Sequence, residues 1–159
     1  GPLSNPADTD YFLLGVYAPE LTDMFASALL LLGAKRALVV HSDDGLDEIS
    51  ICSPTRVSEL KDGSITTYIL NPENYFGEKS ELNEIIGGDV NKNIEITRNI
   101  LSGEKGARRN IVLLNASAAL VAIGKAENIK EGIVIAKKSI DSGAASAKLD
   151  KLVEFTQGN

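Results

Sequence analysis

The sequence predicts an α/β domain built on a mixed sheet, in which a βαβ unit is followed by a β-hairpin and flanked by helices. Three observations point there. Two apolar, strand-like runs, "YFLLGVY" and "RALVVH", bracket a helical segment; strand, helix, strand in that order makes parallel neighbours joined by a right-handed crossover. The stretch "TRVSELKDGSITTYIL" sets Asp62-Gly63 between two further strand-like runs, the signature of a type I′ hairpin. From "NPENYFG" onward the apolar spacing turns helical.

The elements follow in chain order. "GPLSNPADTD" is rich in Gly, Pro, Asn and Asp and reads as loop. Tyr11 to Tyr17 is aromatic and β-branched enough for a strand. A helix is expected from Glu20 to Leu32, with Pro19 at its first turn, Glu20 and Asp23 at the positive end of its dipole and Gly33 as its stop. Arg36 to His41 is a buried strand, and Thr55 to Lys61 and Ser64 to Leu70 are the hairpin arms. Ser80 to Ile86 reads as a short helix ending at Gly87-Gly88. Asp89 then caps a helix that carries Ile94, Ile100 and Leu101 on one face. "RRNIVLLNASAALVAIG" is apolar nearly all round and is expected to be a buried helix. Two more helices, Ile129 to Ser142 and Ala144 to Phe155, close the chain. There is no internal repeat or interdomain linker, so residues 1–159 are expected to form a single α/β domain.

Composition narrows the class. The chain has 159 residues, 43% apolar and 24% charged, enough for one domain with a sizeable core. No basic region followed by an apolar one opens it, and the apolar run around Ala28 to Leu32 is cut by Gly33, so neither a leader nor a membrane span is expected. A single cysteine, Cys52, rules out an intrachain disulfide framework and suits a cytoplasmic location. A net charge of −6 argues against nucleic acid as a partner.

The chemistry concentrates in "HSDDGLDEIS", where Asp43, Asp44, Asp47 and Glu48 crowd together directly after the second strand. In open α/β sheets ligands sit beyond the C-terminal ends of parallel strands, so this loop has the address of a site. Asp47 and Glu48 offer the paired hard oxygens that suit Mg²⁺, with Gly45 allowing the tight turn. The alternative is a solvated acidic turn. His41, the one histidine, is either a base or ligand or a strand-end residue hydrogen-bonded into the turn. Cys52 reads as a small buried apolar residue. Lys105, Arg108 and Arg109 in "GEKGARRN" either meet a phosphate or line a solvated interhelical loop. Asn115, in an apolar helix, is expected to be structural and hydrogen-bonded. "IIGGDVNKN" carries a weak anion-site signal in its two glycines. No glycine-rich phosphate loop and no nucleophile–base motif is present.

The segments "GPLSNPA", "LLGVY", "LVVHSDDGLDEIS", "GGDVNKNIEI…ILSGEKG", "IVLLNASAAL" and "EGIVIAKKSIDSGAA" occur in this order. Together they resemble anthranilate phosphoribosyltransferase over nearly the whole chain. The resemblance marks the opening "GPLSNP" as family sequence rather than an expression scar. It implies part of a nucleoside phosphorylase/phosphoribosyltransferase-like fold. It also implies an enzyme of tryptophan biosynthesis that joins anthranilate to the ribose of phosphoribosyl pyrophosphate and requires Mg²⁺. The Asp-Glu pair of the family's "DGLDE" motif binds a metal that engages the diphosphate, which on this chain assigns Asp47 and Glu48 as metal-binding residues. No catalytic side chain is implied.

Three departures from the family pattern stand out. Ser42 replaces a usual glycine beside the site, and Ile94 replaces a usual alanine. The chain is also short. The helical domain, the glycine-rich pyrophosphate loop and the anthranilate-recognising arginine of the family have no counterpart, so the chain is expected to be the C-terminal part of the enzyme. That part is expected to be inactive alone, and a monomer where the complete enzyme is a homodimer. Two other readings use the same fold: a pyrimidine nucleoside phosphorylase-like enzyme, and a non-enzymatic homologue that binds nucleic acid.

Overall fold

The computed structural model describes residues 9–158. The expected opening loop falls largely on residues 1–8, outside the described residues. The strands are β1 (Tyr11–Gly15), β2 (Arg36–Ser42), β3 (Thr55–Lys61) and β4 (Ser64–Leu70). The α-helices are α1 (Leu21–Leu31), α2 (Glu73–Phe76), α3 (Val90–Leu101), α4 (Ala107–Ala122), α5 (Ile129–Asp141) and α6 (Ala144–Gln157).

The sheet has the order β1-β2-β3-β4. β1 and β2 are parallel, as the βαβ reading requires, and the other two pairings are antiparallel. Among the described residues β1 is paired on one side only, and Tyr11 and Leu13 are exposed there. The β3–β4 turn has positive φ at both Asp62 (51°) and Gly63 (76°), the requirement of a type I′ turn.

Alternation along β2 divides the core. Ala37 and Val39 face α1, where they meet Ala26 and Leu29. Leu38 and Val40 face the other way, towards Leu114, Ala118 and Val121 of α4. Because both faces of β2 are covered, its residues read as an unbroken apolar run. A third cluster, Leu113, Ala136 and Ile140, joins α4 to α5. Gly132 makes that approach possible: a Cβ there would stand 2.7 Å from the Ser117 Cβ and 2.8 Å from the Ser117 carbonyl oxygen.

Asp23 ties α1 to the hairpin. Its carboxylate accepts from Arg56 Nη2 at 2.6 Å, from Ser58 Oγ at 2.7 Å and from Thr67 Oγ1. These donors, Thr67 and Ser58 foremost, hold its pKa down to about 2.

Several expectations need adjustment. The first strand ends at Gly15 rather than Tyr17, although Val16 still donates its N–H to the Val40 carbonyl. Glu20 and Leu32 are the caps of α1, not parts of it. Ser80 to Ile86 is not an α-helix but a single 3-10 turn, Leu82–Glu84, closed by a capping box between Glu81 and Glu84. With Gly87-Gly88 directly after it, the segment is too short to propagate. α4 is not buried all round: Leu114, Ser117 and Ala118 are buried, while Val112 is 38% exposed, and Ile123, which caps the helix, is 46% exposed. Ala, Val and Leu on every side conceal which face meets the sheet.

Candidate functional site

The acidic loop leaves the C-terminal end of β2, and the fold fixes it from three directions. Within the loop, Gly45 adopts φ +88°, its N–H donates to the Ser42 carbonyl, and Ser42 N–H donates to the Leu46 carbonyl. From β1, Gly15 lets the loop backbone pass where a side chain would stand: a Cβ on Gly15 would lie 1.6 Å from the Asp47 carbonyl oxygen. From α4, Asn115 brackets Ile49, its Oδ1 accepting from Ile49 N–H at 2.9 Å and its Nδ2 donating to the Ile49 carbonyl at 2.8 Å. The same Nδ2 also donates to the Ile111 carbonyl at 3.0 Å. Asn115 is hydrogen-bonded as expected, and its partner is the loop itself.

This anchoring separates the four carboxylates. Asp44 is committed to the turn, since its carboxylate accepts from Ser50 Oγ at 2.6 Å and from Leu46 N–H at 3.3 Å. Asp43 is an exposed residue whose backbone N–H donates to the Pro54 carbonyl. Asp47 and Glu48 are exposed, and among the described residues neither carboxylate receives a hydrogen bond or an ion pair. The Glu48 carboxyl is pushed up, first because the loop strips part of its water and then because Asp47 and Asp44 lie close. Two adjacent uncommitted carboxylates fit a hard divalent cation that keeps waters and takes its remaining ligands elsewhere. Among the described residues no group of three or more His, Cys, Asp or Glu side chains forms a complete metal cage.

The other sequence candidates settle as follows. His41 is 8% exposed and its Nδ1 lies 2.8 Å from the Val16 carbonyl oxygen, which assigns the proton to Nδ1. It belongs to the strand end, bonded across to the β1–α1 connection rather than into its own turn. Ser42 is buried, and its hydroxyl donates to the Pro54 carbonyl at 3.3 Å, so the residue that departs from the family glycine turns away from solvent. Cys52 is half-buried rather than buried, and desolvation pushes its thiol up, away from the thiolate form. Ile94 is 51% exposed beside Leu149 and Val153 of α6. At Gly87-Gly88 the helix end is already filled: Asp89 accepts from Lys92 N–H at 2.8 Å, and Asn93 accepts from Gly88 N–H at 2.9 Å. Arg109 is 2% exposed and paired with Asp141, and Arg108 donates to the Ile86 carbonyl. Neither is a loop residue in free solvent.

Gly15 is the residue that sequence reasoning missed. Its only signal is a glycine inside a strand-like run, which marks close backbone approach.

Residues 1–146 match the family model described as "Glycosyl transferase family, a/b domain". The chain belongs to this family. Curated relatives of the chain include anthranilate phosphoribosyltransferases. That of Desulfosudis oleivorans is 57% identical over 160 residues, covering 100% of this chain and 47% of the relative. That of Desulfatibacillum aliphaticivorans is 55% identical, again over 100% of this chain and 47% of the relative. The chain therefore spans about half the length of the curated relatives it matches. Among solved structures of the family, the anthranilate phosphoribosyltransferase of Thermus thermophilus superposes with a TM-score of 0.89 at 38% identity, over 99% of this chain and 46% of that one. The Saccharomyces cerevisiae enzyme in complex with phosphoribosyl pyrophosphate and Mg gives 0.82 at 30% identity, over 94% and 44%. The resemblance read from the six ordered segments is borne out, and so is the mixed-sheet α/β class.

Proposed function

We propose that this chain forms part of an anthranilate phosphoribosyltransferase, which transfers the phosphoribosyl group of phosphoribosyl pyrophosphate to anthranilate, and that Asp47 and Glu48 hold its Mg²⁺. The observation that carries this reading is the division of labour in the loop: Asp44 is spent on the turn, while Asp47 and Glu48 stay uncommitted at the C-terminal end of a parallel strand. The relative from Saccharomyces cerevisiae that holds phosphoribosyl pyrophosphate and Mg supports the choice of ligands.

Displacement at the anomeric carbon leaves negative charge on the departing pyrophosphate, and a bound Mg²⁺ neutralises part of it. The protein's part is positional. Gly15 and Asn115 fix the loop backbone before any ligand arrives, so the carboxylates need not be ordered at the moment of reaction. The reaction asks for no side-chain nucleophile.

The complete protein with Asp47→Asn or Glu48→Gln is expected to turn over more slowly and to need more Mg²⁺ for half-maximal rate. Wild-type kinetics at limiting Mg²⁺ in both variants would sink the assignment. The chain alone, spanning about half of its relatives, is expected to form no phosphoribosylanthranilate; product fluorescence from it would refute that.

A further inference from the structure

A polar recess of about 140 Å³ lies between α3 and the start of α4. Lys92, Glu95, Glu104, Lys105, Arg108 and Arg109 give it its charge, and none of its lining comes from the acidic loop. Arg109 is 2% exposed; its Nη2 donates to Asp141 Oδ1 at 2.6 Å, and its Nη1 is buried without a partner among the described residues. A guanidinium nitrogen that has lost its water and gained no acceptor is costly. Arg108 repeats the pattern: Nη2 donates to the Ile86 carbonyl at 2.8 Å, and Nε is buried without a partner among the described residues. The first turn of α4 opens here with Gly106 as its cap residue, and no side chain caps it. Its backbone N–H groups and the positive dipole end add to the deficit of acceptors.

The charges do not cancel. Glu95 pairs with Lys92 at 3.0 Å, and Asp141 takes one arm of Arg109. Glu104 offsets one further cation. One positive charge remains among these side chains, together with two buried nitrogens that lack acceptors and the uncapped helix end. One water needs about 10–15 Å³, so the recess holds more than a single water. A tetrahedral anion with several acceptor oxygens matches donors that arrive from a helix end, an exposed Lys105 and two guanidinium groups. A planar carboxylate would be used up by one guanidinium fork.

We infer that this recess binds a phosphoryl oxyanion, held by Lys105, Arg108 and the first turn of α4 over the buried Arg109. The recess and the metal-binding loop share no residue, so either assignment can fail without the other.

Inorganic phosphate, titrated into the complete protein with EDTA present, is the probe, read as amide shifts at Gly103 and Gly106. Saturable shifts are expected. A Lys105→Gln/Arg108→Gln variant should weaken the apparent Kd at least tenfold, while Asp47→Asn leaves it unchanged. If the double variant does not fold, Lys105→Glu, at an exposed position, should give the same loss. No saturable shift at these amides, or an affinity unchanged in the folded variant, would overturn the inference.

Discussion

The α-carbon of Gly15 faces the backbone of Asp47 so closely that a methyl group on it would stand 1.6 Å from the Asp47 carbonyl oxygen and 2.5 Å from the carbonyl carbon. Real contacts of that length do not exist, so one strand must shift or the acidic loop must leave. Gly15→Ala is expected to destabilise the protein by about 1–3 kcal/mol, the range for overpacking a close-fitted site. If Asp47 and Glu48 hold Mg²⁺ as proposed, Gly15→Ala in the complete protein should also raise the Mg²⁺ requirement by displacing them. Denaturant melts and Mg²⁺-dependent rates read the two effects separately; a wild-type value in both would contradict the geometry.

Asn115 is the second hold on the loop. In Asn115→Asp, an oxygen replaces the nitrogen that now donates to the Ile49 and Ile111 carbonyls. Two donor bonds become repulsions, and a charge enters a half-buried position. A loss of about 2–3 kcal/mol is expected, seen as a lower urea midpoint and faster hydrogen exchange at the Ile49 amide. Exchange at Ile49 as slow as in the wild type would show that Asn115 does not hold the loop.

Gly132 tests packing against propensity. Alanine in mid-helix gains about 1 kcal/mol over glycine. Here its Cβ would stand 2.7 Å from the Ser117 Cβ and 2.9 Å from the Ser117 Cα, against backbone that cannot swing aside. The clash is expected to win, and Gly132→Ala should lower the melting temperature. A higher one would mean that α5 slides on α4 at little cost.

Asp23 predicts a pH dependence. Its folded pKa, about 2, lies below the ordinary 3.8. A depressed carboxylate contributes stability that is present above the unfolded value and lost as pH falls from there through about 2. The pair with Arg56 is partly open to solvent, so the contribution is about 1 kcal/mol rather than what the full shift implies. Asp23→Asn should therefore flatten stability between pH 4 and pH 2. The wild-type slope, retained in the variant, would place the acid sensitivity elsewhere.

What the sequence disclosed and what it withheld follow one division. β2, the hairpin and the Asp89 cap are written in neighbouring residues, and all three stand where their patterns put them. The Asp44 carboxylate could not be told from those of Asp47 and Glu48 by spacing, because its partner Ser50 is chosen by the path of the turn. Gly15 looks like any glycine in a strand until the distant loop crosses it. Arg109 reads as a loop cation because Asp141, which draws it inward, lies at the end of another helix. The segment from Ser80 to Ile86 misled because helical residues are present but too few to form more than one turn.

The one-sided pairing of β1 bears on how the protein behaves in a test tube. "YFLLG" contains no charge and no proline, and Tyr11 and Leu13 stand exposed on a row of backbone groups open along one side among the described residues. Such a strand is adhesive, and proteins ordinarily blunt it with a lysine, a bulge or a cover. Purified by itself, the chain should stick to its own copies as its concentration rises, and a charge placed at Leu13 would keep it dispersed.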